Sequence, residues 1–314
     1  MTIFTDNFKF IKAELTECKV CPRNCGVNRI SGELGYCKTN AGFSISSICI
    51  HKGEEPAIGG ELGVCNIFFS HCNLQCVYCQ NNQISCNDQI FKKPLSFEDT
   101  LNKIIEILKN GINVIGFVSP SHMASQVKEI ITGIRNSGYN PKFVWNSNGY
   151  DKVETLKNLE PFIDIYLPDF KYSNTKDSYE FSDANNYPEV ALKAIKEMYY
   201  QKGSKLNTDE NGIAESGLII RHLVLPGKSA ESIKLLETIA EEISTRVTIS
   251  LMSQYFPTEN VKSHKILSKQ ITKEEYNIVT NTLYELGFIN GWIQEHESQN
   301  NYRPDFEKDH PFEE

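Results

Sequence analysis

The sequence predicts an α/β fold: a partial (β/α)6 TIM-like barrel at residues 61–295, an N-terminal cysteine-rich extension at residues 1–60, and a polar tail at 296–314. Three observations predict it. Apolar runs rich in β-branched and aromatic residues alternate with segments of helical periodicity, six of each. Such strands between amphipathic helices imply a parallel sheet covered by helices. Polar residues gather just after the strands: Ser119, Asn146 to Asn148, Asp169 to Lys171, Arg221 with His222, and Ser253 to Tyr255. Open doubly wound sheets and barrels both keep their sites there, and six units fall short of the eight that close a barrel.

Each element has its own signal. The run "VCNIFFSH" is the first strand, ahead of the cysteine motif. In "PLSFEDTLNKIIEILKNG", Ser96 is the N-cap, Leu101, Ile104, Ile105 and Leu108 recur at helical spacing, and Gly111 closes the helix. "INVIGFVSP" is a buried strand stopped by proline, and "SQVKEIITGIRNSG" is a helix ending at Gly138. "PKFVWNSNG" is a strand, and "DKVETLKNLEPF" a helix with a capping box of Asp151 and Glu154. "DIYLPDF" is a strand and "PEVALKAIKEMYYQKG" a helix. "LIIRHLVLPG" is a strand, followed by "SAESIKLLETIAEEI", whose Ile233, Leu236, Ala240 and Ile243 share one face. "VTISLMSQYFP" is the last strand, and Thr272 with Glu275 boxes the start of the last helix.

Composition narrows the class. The chain has 314 residues, 40% hydrophobic and 23% charged, which is a globular profile with room for a large core. Its 40 acidic against 32 basic side chains give a net charge of -8, and binding to nucleic acid would need a basic face instead. No apolar run reaches the length of a membrane span, and the first residues lack a signal-peptide apolar region, so a soluble, cytoplasmic protein is expected. In that reducing compartment, close cysteines read as metal ligands or redox groups. All ten lie between Cys18 and Cys86.

The stretch "FFSHCNLQCVYCQN" spaces Cys72, Cys76 and Cys79 as C-x3-C-x2-C on the loop after the first strand. A zinc knuckle would want a fourth ligand. A [4Fe-4S] electron carrier would also want a fourth thiolate, one per iron. Three thiols leave one iron without a protein ligand, and an open coordination position is where a substrate or cofactor binds.

With Tyr78 before the last cysteine, this motif resembles the radical S-adenosylmethionine superfamily. The resemblance implies that S-adenosylmethionine binds the open iron and is cleaved by one electron to a 5'-deoxyadenosyl radical. It further implies an electron donor of the flavodoxin or ferredoxin type. In order, "CNLQCVYCQN", "FVSPSH", "WNSNGY", "YLPDFKY", "RHLVLPG", "LMSQY" and "GWIQE" look like the branch of pyruvate formate-lyase activating enzyme. Enzymes of that branch abstract a hydrogen from a glycine of a partner, a glycyl-radical enzyme.

Position by position, the resemblance places Asn148 and Lys171 on S-adenosylmethionine, with Tyr78 and Asp169 in the same pocket and Arg221 on a carboxylate of cofactor or substrate. Asn146, Ser147, Leu167 and Asp169 would surround a small cation, although Asn146 stands where the family has an aspartate. "VSPS" replaces a Gly-Gly-Glu segment, leaving Ser119, Ser121 or backbone carbonyls to receive the cofactor's amino group. His222 reads as a packed or hydrogen-bonded histidine.

A second constellation precedes the first. Cys18, Cys21, Cys25 and Cys37, spaced x2, x3 and x11 among Gly, Pro and Asn, can close a tetrahedral site. Zinc, an auxiliary iron–sulfur cluster and free buried thiols are the candidates. Cys49, Cys65 and Cys86 read as buried small hydrophobes. Two function classes follow: a radical enzyme acting on a protein, peptide or small molecule, and a non-catalytic iron–sulfur carrier or metal-stabilised binding module. The size of the barrel and the missing fourth ligand favour the enzyme.

Overall fold

A computed structural model describes residues 8–89, 95–300, 304–308 and 310–312. Pro94, at the head of the first predicted helix segment, and parts of the predicted tail lie outside them. The helices are α1 Lys9–Glu14, α2 Pro56–Gly59, α3 Asn82–Ser85, α4 Phe97–Lys109, α5 Ala124–Asn136, α6 Val153–Leu159, α7 Thr175–Ser182, α8 Tyr187–Lys202, α9 Ser229–Glu242 and α10 Lys273–Glu285. The strands are β1 Ile45–His51, β2 Val64–Phe69, β3 Val114–Val118, β4 Lys142–Asn146, β5 Ile165–Tyr166, β6 Asn207–Thr208, β7 Ala214–Leu223, β8 Thr248–Met252 and β9 Gly291–Ile293.

The sheet runs β1-β2-β3-β4-β5-β7-β8-β9, with the short β6 pairing β7. Neighbours from β2 to β9 are parallel, and β1 alone on this path is antiparallel, to β2. No pairing joins β1 to β9 among the described residues, so the barrel is partial, as expected. Six strand–helix units are present, and β9 follows them. Register aligns the strand ends: Phe68 beside Val118, Val118 beside Asn146, and Leu223 beside Met252. That alignment brings the polar residues after each strand to one rim.

Local chemistry explains the helices. Ser96 accepts a hydrogen bond from the Asp99 amide at 3.0 Å, and Gly111 (φ 90°) turns the chain out of α4. Thr272 and Glu275 form the expected reciprocal box at α10. The Asp151–Glu154 box does not form. The N-cap of α6 is Lys152, and Asp151 instead accepts from Ser147 Oγ at 2.5 Å and Trp145 Nε1 at 3.3 Å. A carboxylate buried beside two side-chain donors gains more there than at an exposed cap. On α9 the buried stripe is Ser232, Leu235, Leu236 and Ile239, so the predicted face is rotated: Ile233, Ala240 and Ile243 are only half-buried. The "DIYLPDF" strand shortens to Ile165–Tyr166, continued by a lone bridge of Asp169 to Arg221. Pro168 has no amide to lend the ladder.

Side chains of β2, β3 and β4 stack as Phe69, Phe117 and Phe143, with ring centroids 6.4 and 6.2 Å apart. The extension is anchored to the barrel. Glu129 Oε1 accepts the Phe10 and Ile11 amides of α1 at 2.6 and 3.3 Å, and Lys128 of α5 pairs with Glu14. Arg29, 1% exposed, donates to the His122 carbonyl at 2.7 Å. No described helix is long and apolar enough to cross a membrane.

Two buried histidines join layers. His222 Nδ1 donates to the Phe170 carbonyl at 2.7 Å, and its Nε2 accepts from Ser232 Oγ at 2.8 Å, which fixes the neutral ring between strand and helix. The packed, hydrogen-bonded role expected for it is the one it has. Burial pushes the His222 imidazole down to about 4 and that of His122 down to about 3. Between those values and the ordinary one near 6.5, the unfolded chain binds more protons, so stability is intact above ~6.5 and falls with pH below it. Urea unfolding at about pH 7 and about pH 5 should show a loss of about 2 kcal/mol from each histidine. A His222→Gln variant should lose about 2 kcal/mol less than the parent over that interval; equal losses would contradict this account.

Candidate active site

The loop after β2 is built by hydrogen bonds that leave its sulfurs facing inward. His71 turns through the left-handed region (φ 65°), and its amide donates to the Ile84 carbonyl at 2.6 Å. Asn87 grips the first cysteine: its Oδ1 accepts the Cys72 amide at 3.1 Å, and its Nδ2 donates to the Cys72 carbonyl at 3.0 Å and the Tyr36 carbonyl at 2.9 Å. Asn73 Nδ2 donates to the Tyr150 carbonyl at 2.8 Å, and the Val77 amide to Phe181 at 2.9 Å.

The sulfurs themselves receive donors. Cys72 Sγ takes the Leu74 amide at 3.4 Å and Asn148 Nδ2 at 3.3 Å, while Cys76 Sγ takes the Ser182 hydroxyl at 2.9 Å. Cys79 Sγ lies 3.2 Å from Ser85 Oγ. Tyr78 and Tyr172 hydroxyls meet at 2.7 Å, and Tyr172 reaches Ser182 at 2.5 Å, so a chain of hydroxyls ends on Cys76. Donors aimed at sulfur favour the thiolate and tune any metal that it holds. Burial pushes the Cys72 thiol up to about 12, and the Cys76 thiol up to about 11 with Lys171 opposing. A cation that binds them must displace protons.

The three cysteines line one cavity of about 210 Å³. Tyr78, Ser119, Asn148, Asp169, Lys171 and Arg221 line the same cavity, so the cysteine loop and the strand ends bring these expected residues to one place. Among the described residues the wall includes Ser119 and not Ser121. Ser119 stands at φ 53°, a costly conformation for a residue with a side chain, held by its amide on the Asn146 carbonyl at 2.9 Å. No three His, Cys, Asp or Glu side chains among the described residues stand at the separation one metal ion imposes. The cubane corners of an iron–sulfur cluster ask something else, since each cysteine meets a different iron.

The centre of charge is Asp169. Its Oδ1 accepts Arg221 Nε at 2.9 Å and its Oδ2 accepts Lys171 Nζ at 2.6 Å. All three side chains are 16% exposed. Burial pushes the Asp169 carboxyl up, but Arg221 and then Lys171 outweigh it and hold the group below the ordinary range. Burial likewise opposes the Lys171 ammonium, and Asp169 and Cys76 keep its pKa above the usual one.

Three side chains expected around a small cation have protein partners. Asn146 Oδ1 accepts Arg221 NH2 at 2.6 Å, and Ser147 donates to Asp151. The Arg221 guanidinium thus lies between Asn146 and Asp169. Arg221 is not a surface ion pair.

Sequence reasoning missed several participants. Tyr187, wholly buried, donates to the carbonyls of Asn148 and Asp169 at 2.8 Å and accepts the Lys171 amide at 3.0 Å, clamping two strand-end loops. The predicted helix begins one residue later, at Pro188, and nothing in the sequence assigns Tyr187 a role. Glu54 lines the cavity 3.6 Å from Arg221 and accepts Asn66 Nδ2 at 2.7 Å; beside it, burial pushes the Glu55 carboxyl up. The pair in "HKGEEPAIGG" was the available signal. Phe312 of the tail also reaches the wall, against Phe68 and His51.

Gly149 (φ 76°) makes the Asn148 loop possible, because a Cβ there would lie 2.2 Å from the Asp169 carbonyl and 2.9 Å from the Tyr187 hydroxyl. Gly149→Ala should destabilise the protein by about 3–5 kcal/mol, combining φ strain with backbone overlap. Thermal unfolding of the variant measures it, and a loss under about 1 kcal/mol would refute the clamp.

Comparison with known proteins matches the sequence to a family. A family described as the Radical SAM superfamily matches residues 66–239, more than half of the chain. An uncharacterized protein of Methanocaldococcus jannaschii is 29% identical over 267 residues, 82% of this chain and 71% of that protein. Among solved structures, SuiB of Streptococcus suis bound to S-adenosylmethionine is similar with a TM-score of 0.47 at 13% identity, over 72% of this chain and 48% of that one. The hydrogenase maturase HydG of Carboxydothermus hydrogenoformans gives 0.49 at 16% identity, over 73% and 53%. A domain of pyruvate-formate lyase-activating enzyme from Bacteroides vulgatus gives 0.39 at 16%, over 55% and 93%. The chain thus spans about half the length of SuiB and HydG. By the family match, the chain belongs to the radical SAM superfamily, whose cofactors are a [4Fe-4S] cluster and S-adenosylmethionine.

Proposed function

We propose that this cavity seats both cofactors, the cluster on Cys72, Cys76 and Cys79 and S-adenosylmethionine against Tyr78, Ser119, Asn148, Asp169, Lys171 and Arg221. One observation carries the reading: among the described residues, three thiols and no fourth cysteine open onto the cavity that the polar strand ends also line. When bound, the pair supplies one chemistry, one-electron cleavage of the sulfonium to a 5'-deoxyadenosyl radical that abstracts hydrogen.

The chain's own residues do the rest. Donors from Leu74, Asn148 and Ser182 hold negative charge on the sulfurs. Lys171, already oriented by Asp169, presents an ammonium to a carboxylate or hydroxyl. Phe68, Leu223, Met252 and Phe312 form an apolar wall that keeps water from a reactive intermediate.

The substrate class is that of the pyruvate formate-lyase activating enzymes, a glycine of a partner enzyme, on the order of the chain's motifs. The other reading, a small charged substrate, is favoured by Glu54 and Arg221 deep in the cavity. In either reading the protein works in the cytoplasm with a flavodoxin- or ferredoxin-type donor. Phe10, Glu14 and Arg29 of the extension buttress the barrel of residues 61–295, and Pro304 and Phe312 of the tail line its cavity.

Anaerobically reconstituted, dithionite-reduced protein should release 5'-deoxyadenosine. Alanine at Cys72, Cys76 or Cys79 should abolish release, and a variant lacking all three that still produced it would overturn the assignment. A glycyl-radical signal on adding a candidate partner separates the two substrate readings.

Lys171→Ala removes a charge-assisted hydrogen bond and should weaken S-adenosylmethionine binding roughly ten- to a hundredfold, with the cluster's absorbance intact. Calorimetric titration showing unchanged affinity would mean that Lys171 serves Asp169 alone.

A further inference from the structure

The extension's four cysteines enclose a second, much smaller space. Cys18, Cys21, Cys25 and Cys37 line one cavity of about 10 Å³. That is room for about one water-sized sphere, which fits a single ion and not a cubane. Cys18, Cys21 and Cys37 are buried at 7% exposure each, and Cys25 is exposed at the edge. We propose that these four thiols bind one tetrahedral zinc ion, which locks a clamp of Arg23 and Tyr36 onto the loop of Cys72 to Cys79. The ion site stands independently of the function proposed above; the clamp's importance rests on it.

The backbone is shaped for such a site. Gly26 and Val27 pair with Cys18 through two hydrogen bonds of 2.9 Å, and turns close from Asn24 to Cys21 and from Lys38 to Gly35 at 3.1 Å. Asn24 (φ 44°) and Lys38 (φ 52°) hold left-handed conformations beside Cys25 and Cys37, a cost that a bound ion would offset. Gly35 has no Cβ, and one there would lie 2.9 Å from Cys25 Sγ.

Donors already surround the sulfurs. The Tyr36 amide reaches Cys25 Sγ at 3.3 Å, Thr39 Oγ1 lies 3.1 Å from Cys37 Sγ, and the buried Arg29 guanidinium lies 3.8 Å from Cys18 Sγ. Four thiolates around a divalent ion carry net negative charge, and these are the outer groups that stabilise it. The sulfurs do not stand at the separations of a bound ion, so ligation draws them inward.

Both clamp residues are bracketed by the proposed ligands, Arg23 between Cys21 and Cys25, and Tyr36 just before Cys37. Arg23 donates to the Asn73 carbonyl at 2.9 Å and the Asp183 carbonyl at 2.7 Å, with its guanidinium 3.6 Å over the Tyr36 ring. Tyr36 donates to Asp183 Oδ2 at 2.7 Å, and its carbonyl accepts from Asn87, the residue that grips Cys72.

The test uses the full chain with Cys72, Cys76 and Cys79 replaced by alanine, purified from cells supplied with zinc and iron. We expect about one zinc per chain, with neither iron nor sulfide. Adding Cys25→Ser should weaken zinc retention against a chelator by about a hundredfold. Should that variant fail to fold, cadmium titrated into the metal-stripped parent should raise a thiolate charge-transfer band that saturates at one ion per chain. Folded protein without metal, iron with sulfide in place of zinc, unchanged retention in Cys25→Ser, or no cadmium band would each overturn the site. Chelation should also speed hydrogen exchange at residues 73–79 by more than about tenfold, and unchanged exchange would overturn the clamp.

Discussion

One carboxylate holds the centre of this protein together. Asp169 sits between Arg221 of β7 and Lys171 of its own loop and offsets the burial of a guanidinium and an ammonium that are each 16% exposed. Removing one partner of such a set leaves the others charged and desolvated. The arrangement therefore fixes the relative height of the β5 and β7 strand ends. Asn146 and Glu54 extend the fixing to β4 and to the extension.

From that anchor the thiol loop follows. Tyr187 ties the Asp169 carbonyl to that of Asn148, Asn148 donates to Cys72, and Ser182 at the end of α7 donates to Cys76. Two of the three sulfurs are thus referenced to the same group of strand ends that carries the charges. Where a cofactor must meet both a metal and polar side chains, a shared framework of this kind sets their spacing before anything binds.

Much of this was legible in the sequence, and what was not has a physical reason. Strands and long helices were readable because periodicity and capping are local: Ser96 and Thr272 act on amides three residues away. The strand-end rim was readable because parallel strands carry their sites at one end. Asp151 was misread because a local capping pattern competed with a buried pair of donors from Ser147 and Trp145, which only the fold brings near. Tyr187, Glu54 and Phe312 escaped for a related reason. Their contacts span long sequence distances, and nothing in a tyrosine just ahead of a predicted helix says that its hydroxyl joins two loops. That Arg221 bonds Asn146 and Asp169 was likewise unreadable, because the three residues come from separate strand ends.

The antiparallel run of β1 has a consequence for how the lumen is sealed. Every other strand on the sheet's main path climbs toward the rim, whereas β1 starts beside Phe69 at Ile45 and descends to pair His51 with Val64. The segment that follows it therefore leaves from the β2 start, and Glu54 from it reaches up to within 3.6 Å of Arg221 and lines the same cavity as the thiols. The cavity is thus walled by two stretches of sequence, the cysteine loop after β2 and the turn of His51, Gly53 and Glu54 that precedes it, so a change confined to that turn would reshape the lumen while leaving the thiol loop as it is.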